Sequence, residues 1–532
     1  MVNQPEARSE NSASRQISRS ALVVMGAFIL SSLLGLARNM VLTRTFPLGE
    51  LDAFYAANRI TEFLFNLLAG GALGSAFIPM FTGLLTREKR EEAWKLASGV
   101  FNVLLIVLMA IVVIMWVFAP QVVRHGLYLL DPTARVEDLA LTVKMLRVML
   151  PTVVIFGVSG LVMGILNAHQ KFLVSALSLA VYNLGIILAT LLLPSNMGVL
   201  RLAYGALLGA AGYLLIQLPA LLRLPAVKYD QRSGWKDQPV REVLRLMAPR
   251  LIGSGAVQLN FAANTVIALG IGVSSVSAIT LAFALMLMPQ SAIAQSAGIA
   301  SLPTLSAQAE MGETEAFRQT ISRILRTILL LAIPASAGLI LLRVPLVKAL
   351  YERGAFGAQD TQMVAWALLW YAAGLLGHSL VEVLTRAFFA RQDTRTPVTV
   401  TTSAMVLNIL LSLAFTRLFA GMGWMPHGGL ALANSLATGL ECGVLWALLS
   451  KRIGGLNRRL LGDGAVKALI ATGVMAALLI GLLSGLEGRP RALLLAGLAG
   501  GLAVYGGALA LLKVPEVWGV LKGIKRKLGG MG

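Results

Sequence analysis

Apolar runs of about twenty residues recur along nearly the whole of this chain, and no other feature narrows its fold as much. Wound as an α-helix, each run crosses ~30 Å of hydrocarbon. Lipid offers the backbone no hydrogen-bond partner, so only helices and closed barrels survive there. A barrel strand alternates in character at every second residue, and these runs do not. With 57% hydrophobic and 13% charged residues among 532, and a mean hydropathy of +0.77, the chain is too apolar to fold in water. The sequence predicts an all-α integral membrane protein.

The pattern places about fourteen transmembrane helices, near 21–43, 53–84, 95–119, 139–167, 174–193, 199–222, 242–270, 275–307, 319–342, 362–390, 397–419, 428–449, 465–485 and 491–512. The polar start carries Arg8, Arg15 and Arg19, like a signal peptide. Its apolar run, however, continues through Gly35 to Arg38 without a small-residue cleavage site, so it reads as a retained first helix.

A net charge of +20 raises the question of nucleic acid. The Lys and Arg residues sit mainly in short segments between apolar runs, which leaves no soluble domain to carry a basic face. They cluster on one side: TREKREEAWK at 86–95, the stretch from Arg223 to Arg245, KRIGGLNRR at 451–459 and the tail from Lys522 to Lys527. Positive loops stay in the cytoplasm, so both termini are expected there, in a bacterial inner membrane, with no nucleic-acid partner. Cys442 is the single cysteine, which excludes an intrachain disulfide. His125, His169, His378 and His427 lie far apart and show no metal-site spacing.

The hydrophilic stretch 224–241 reads as a hinge between two pseudo-symmetric six-helix lobes, 21–223 and 242–450. Residues 1–20 form a cytoplasmic tail, 465–512 two additional helices and 513–532 a basic cytoplasmic tail. An internal echo supports two lobes. LVMGILNAHQKFLVSALSLAVYNLGIIL at 161–188 parallels LVEVLTRAFFARQDTRTPVTVTTSAMVLNILLSL at 380–413: helix, tight basic turn, then a helix with a central Asn183 or Asn408. Repeats of this kind mark transporters that bind substrate near the midplane. The additional helices read as lipid-facing padding or as a surface that cradles an acyl or prenyl tail.

Charges inside the hydrocarbon cost ~2.5–3.5 kcal/mol each on insertion scales, so each needs a partner, a cavity or an interface. Arg38 lies late in helix 1, Arg59 and Glu62 lie in helix 2, and Arg250 lies early in helix 7. Arg59 and Glu62 can pair at i,i+3, and Glu382 and Arg386 at i,i+4. Lys144 and Arg147 read as interfacial snorkellers, His378 as a packed, hydrogen-bonded histidine, and Glu441 as a further acid in helix 12. If Arg38, Arg59 and Arg250 share a cavity, their guanidinium forks suit phosphate oxygens. A lipid diphosphate fits such a chamber, because only its head needs a path while its tail stays in lipid.

Four stretches carry a resemblance: GELDAFYAANRI at 49–60, GALGSAFIPMF at 71–81, LYERGAFGAQDT at 350–361 and FFARQDTRTPV at 388–398. With them the chain resembles the MurJ (MviN) family, lipid II flippases of the multidrug/oligosaccharidyl-lipid/polysaccharide exporter superfamily. The resemblance implies that the last two helices form a groove for an undecaprenyl tail. It also implies that Arg38, Asp52 and Arg59 stand at the family's functional positions.

Other family charges are missing. Ser32 replaces a helix 1 arginine, Phe65 and Asn66 an arginine pair, Gly70 a glutamate and Ala284 a helix 8 arginine. Arg250 is an extra charge, expected to compensate in part. The expected headgroup site is therefore Arg38, Asp52, Arg59, Asn66 and Arg250, with Glu382, Arg386, His378 and Asn408 as gating or coupling candidates. In place of the acids of a sodium site, helix 11 carries Asn408 and Ser412.

The expected activity is lipid II flipping by alternating access. It needs no covalent chemistry, cofactor or metal and is driven by the membrane potential or an ion gradient. The expected partners are the undecaprenyl-linked substrate, membrane lipids and cell-wall synthesis proteins. Another polyprenyl-diphosphate-linked glycan is the alternative cargo, and a non-transporting envelope scaffold the alternative role.

Overall fold

The computed structural model describes residues 26, 30–68, 71–131, 134–225, 227–231, 234–485 and 489–516, and within them no side chain of residues 68, 71–75 or 248–254. The expected tail 1–20 lies outside the described residues, as does the expected tail 513–532 beyond residue 516. In order, the longer helices among the described residues are α1 (residues 30–45), α2 (Leu48–Leu68), α3 (Gly71–Thr86), α4 (Arg90–Val117), α5 (Val136–Met149), α6 (Pro151–Ala168), α7 (Phe172–Leu192) and α8 (Leu200–Leu215). They continue as α9 (Gln238–Ile271), α10 (Ser275–Gln290), α11 (Ser296–Glu310), α12 (Thr314–Tyr351), α13 (Ala358–Ala390), α14 (Arg395–Gly421), α15 (His427–Arg452), α16 (Arg458–Gly485) and α17 (Pro490–Leu511). No strand occurs among the described residues.

Among the described residues, eleven stretches of helix are long and apolar enough to cross a membrane, and Ala76–Thr86 and Gly255–Ile271 are shorter apolar pieces. The predicted helix 53–84 is described as two, α2 and α3, with 69–70 outside the described residues. Helix 139–167 is two helical segments that meet at Pro151, the first residue of the second, and together they form one apolar stretch, Val136–Ala168. Helix 319–342 extends to Thr314–Tyr351, running through Pro334 and Pro345. Lipid offers no partner to an unwound backbone, so a membrane helix tolerates prolines that would end one in water.

By compactness the chain divides into two units, residues 1–270 and 271–532. In the first, glycines decide the closest packing. A Cβ on Gly185 of α7 would stand 2.4 Å from the Gly209 Cα of α8, and one on Gly209 would stand 2.5 Å from the Tyr182 carbonyl oxygen. Gly205, one turn earlier on α8, faces the Ala189 side chain. The GALLG run at 205–209 thus lets two backbones touch, which replaces the hydrophobic drive absent within lipid. Gly209→Val should cost about 1–3 kcal/mol by forcing these helices apart, read as a lower unfolding temperature in detergent. Gly473→Ala, whose Cβ meets nothing, should leave it near the parent value.

In the second unit, Leu325 and Ile328 of α12, Val383 and Phe388 of α13 and Leu445 and Leu449 of α15 form a core with almost no exposure. A second cluster joins Ala468, Met475 and Leu479 of α16 and Leu493 and Tyr505 of α17 to Leu330 and Leu342 of α12. The two terminal helices are thereby fixed to α12.

The turns of the internal echo share their geometry. Gln170 and Gln392 both take a left-handed φ of 59°. Backbone N–H groups of Lys171 and Asp393 then close onto the Leu166 and Phe388 carbonyls, at 2.9 and 3.0 Å. Each arrangement satisfies the carbonyls at a helix end.

At the second turn, Asp393 accepts the Thr396 backbone N–H (3.0 Å) and hydroxyl (2.6 Å), capping α14, and pairs with Arg452 from the end of α15. Desolvation pushes its carboxyl up, but the Thr396 hydrogen bonds and the Arg452 guanidinium outweigh it and hold the group at about 2. A depressed carboxyl stabilises the fold above its ordinary value of 3.8 and loses that contribution as the pH falls toward about 2. The parent should therefore lose more thermal stability than Asp393→Asn between pH 4 and 2; equal losses would show that the carboxylate contributes nothing there.

Candidate functional site

The first unit assembles its polar groups on α1 and α2. Arg38 donates from Nε and Nη2 to the Asn39 Oδ1 (3.3 and 3.1 Å), and Asn39 is buried. α1 is held to α7 by Asn183, which donates to the Ser31 carbonyl at 3.4 Å. The central Asn of the first echo thus ties two helices together.

On α2, residues 58, 59 and 62 fall on one face because of helical spacing. The Glu62 carboxylate accepts from Asn58 Nδ2 at 2.6 Å and pairs with Arg59 Nη1 at 3.0 Å. The Arg59 guanidinium also lies 5.1 Å from the centre of the Phe261 ring of α9. Its Nε is buried and has no hydrogen-bond partner among the described residues. Arg59 is thus oriented by one ion pair and one ring, with part of its donor fork unused.

Tyr55 connects these groups. Its hydroxyl is buried without a hydrogen-bond partner among the described residues, within electrostatic range of Arg38, Asp52 and Glu62. Tyr182 on α7 also lies within electrostatic range of Arg38 and Glu62. The structure therefore brings Arg38, Asp52 and Arg59 into one neighbourhood, with Asp52 itself buried. Asn66 lies farther along α2, half-buried. Beside it, Phe65 packs its ring 5.2 Å from that of Phe156. Arg250 belongs to α9, but its side chain lies outside the described residues.

In the second unit, Arg386, Glu382, His378 and Glu441 each have a local partner. Arg386 pairs with Glu382 at 2.6 Å and donates to the Gln295 carbonyl at 3.0 Å. The His378 Nε2 lies 2.9 Å from the Asn434 Oδ1, with the Phe283 ring alongside. Asn408 and Ser412 are buried on α14. Glu441 is buried on α15 and accepts the Thr401 hydroxyl at 2.5 Å.

Sequence reasoning missed three participants. Asn58 was hidden among helix formers and Phe261 inside an apolar run. Arg326 looked like one more charge near a helix start, yet it is buried, paired with Asp463 of α16 at 3.1 Å and with Glu516 beyond α17 at 2.8 Å. Gly464 makes room for its stem, since a Cβ there would stand 2.8 Å from the Arg326 Cγ. The pattern of a small residue beside Asp463 was the signal available.

Residues 49–492 match the family described as "Lipid II flippase MurJ". The chain is 31% identical over 464 residues to a "Probable lipid II flippase MurJ" of Bdellovibrio bacteriovorus, covering 86% of each chain. It is 30% identical over 440 residues to the "Lipid II flippase MurJ" of Burkholderia cenocepacia, covering 82% of this chain and 84% of the relative. Among solved structures, it matches a lipid II flippase MurJ in an inward closed conformation with a TM-score of 0.78 at 24% identity, over 92% of this chain and 98% of that one. An inward-facing multidrug resistance MATE family transporter of the MOP superfamily matches with a TM-score of 0.69 at 16% identity, over 82% of this chain and 98% of that one.

Proposed function

This chain belongs to the MurJ lipid II flippase family, and on that premise we propose that it carries the headgroup of lipid II from the cytoplasmic to the outer leaflet by alternating access. The match over residues 49–492 carries this reading. It makes the chain a multi-pass inner-membrane transporter. In the full proposal fourteen helices cross the bilayer, both termini face the cytoplasm, the lobes divide at the 224–241 linker, and the undecaprenyl tail lies along α16 and α17.

Arg38 and Arg59 meet the diphosphate. Arg59 is supported for this by its unused buried Nε and its fixed orientation, because a donor already held in place loses little freedom on taking up a phosphate oxygen. Glu62 keeps the empty site from being overly cationic, and an arriving diphosphate competes with it for Arg59. No covalent step is involved. An inside-negative potential favours outward passage of the anionic head, by about 2.3 kcal/mol per charge per 100 mV.

The decisive test is rescue of cells conditionally depleted of their own lipid II flippase. The parent chain should restore growth and normal lipid II turnover. A well-expressed parent that fails to do so would move the cargo to another lipid-linked glycan.

A further inference from the structure

We propose that the rim of the membrane between the end of α4 and the face of α5 is a seat for one anionic phospholipid, separate from the Arg38–Arg59 site. A groove of about 650 Å³ opens there, with Trp116, Arg124, Lys144 and Arg147 on its polar side and Val136 and Val143 among its apolar lining. No acid is among the lining residues. The nearby Asp138 is matched by Arg135 at 3.9 Å.

Helical spacing produces this mixture. On α5, residues 136, 140, 143, 144 and 147 fall on one face, open to the groove, while Thr142, Met145, Leu146 and Met149 are buried behind it. Arg147 is pre-set: its guanidinium lies 4.7 Å from the centre of the Trp116 ring and its Nε donates to the Trp116 carbonyl at 3.2 Å. Its two terminal nitrogens make no hydrogen bond among the described residues, and they can bind a phosphodiester as a fork.

Depth and shape favour a lipid over a soluble anion. Residues 148–168, at ~1.5 Å each, suffice to cross ~30 Å of hydrocarbon, which puts Arg147 at the level of the headgroups. Trp116 fits that level too. Below it, Ile106, Met109 and Val113 form an exposed stripe on α4 at helical spacing, along which an acyl chain can lie. In the proposed orientation this is the outer leaflet. The binding itself does not depend on that orientation or on the cargo.

The test uses the purified full chain in nanodiscs, with lipid retention followed by native mass spectrometry. Phosphatidylglycerol should be retained over phosphatidylcholine, and Arg124→Gln/Lys144→Gln/Arg147→Gln should lower that preference by about tenfold or more. Arg87→Gln/Arg90→Gln/Lys95→Gln, at the other end of α4, should keep it. Equal unfolding temperatures in pure phosphatidylcholine establish that the variants are folded; if the triple variant fails this, the single Arg147→Gln is read instead. Undiminished preference in the groove variant overturns the proposal. So does equal retention of both lipids, or saturation of the site by inorganic phosphate alone. Failure of cell rescue with lipid preference intact would refute the cargo and leave this seat standing.

Discussion

Replacing Arg59 with alanine is expected to lower rescue of flippase-depleted cells by about ten- to hundredfold at matched expression, the equivalent of losing charge-assisted hydrogen bonds worth ~1.5–3 kcal/mol. The magnitude follows from how few cations the first unit brings to this neighbourhood. On the correspondence expected from the sequence, Phe65 and Asn66 replace a basic pair, and Phe65 is committed to Phe156. Arg59 is consequently held ready by Glu62 and Phe261, with its Nε unused.

Arg59→Lys should recover part of the activity, since the charge survives and the planar fork does not. Arg38→Ala should weaken rescue by a smaller factor, because Arg38 spends two of its donors on Asn39. Glu62→Gln separates a binding role from a structural one. It frees Arg59 from its ion pair, so headgroup affinity should rise while turnover falls as release slows. Unimpaired rescue by a folded Arg59→Ala chain would remove Arg59 from the transport path.

Much of this architecture was legible because lipid imposes one rule on every span. Apolar length located most of the helical stretches, and the i,i+3 and i,i+4 spacings identified the Arg59–Glu62 and Glu382–Arg386 pairs found in the structure. The echo at 161–188 and 380–413 carried more than polarity, since both turns place a Gln in the left-handed region. What could not be read was any contact between distant helices. Nothing in the sequence around Phe261 says that its ring meets Arg59, because apolar residues in a membrane run look alike whether they face lipid, a helix or a cation. Asn183 was visible as a polar residue in a span, but its hydrogen bond to the Ser31 carbonyl depends on how α1 leans on α7.

Arg326 shows the same limit and supports the second large effect. Its guanidinium is buried, 6% exposed, while its partners Asp463 and Glu516 are 40% and 38% exposed. The asymmetry decides which substitution is worse. Arg326→Leu leaves two carboxylates that can turn to water, and Lys467 still pairs with Asp463 at 2.9 Å, so its cost stays well below that of a stranded buried charge. Asp463→Asn/Glu516→Gln instead leaves a buried guanidinium with little beyond the Leu460 carbonyl at 3.4 Å. Stranding it should cost about 3–5 kcal/mol.

The acid double variant should therefore unfold at a markedly lower temperature than Arg326→Leu, and adding Arg326→Leu to it should restore most of the loss. Because the network joins α16 and the segment beyond α17 to α12, the destabilised variant should also release this end of the chain first, as early proteolysis there while the first unit stays intact. A triple variant no more stable than the acid double would mean that the carboxylates act through something other than the Arg326 charge.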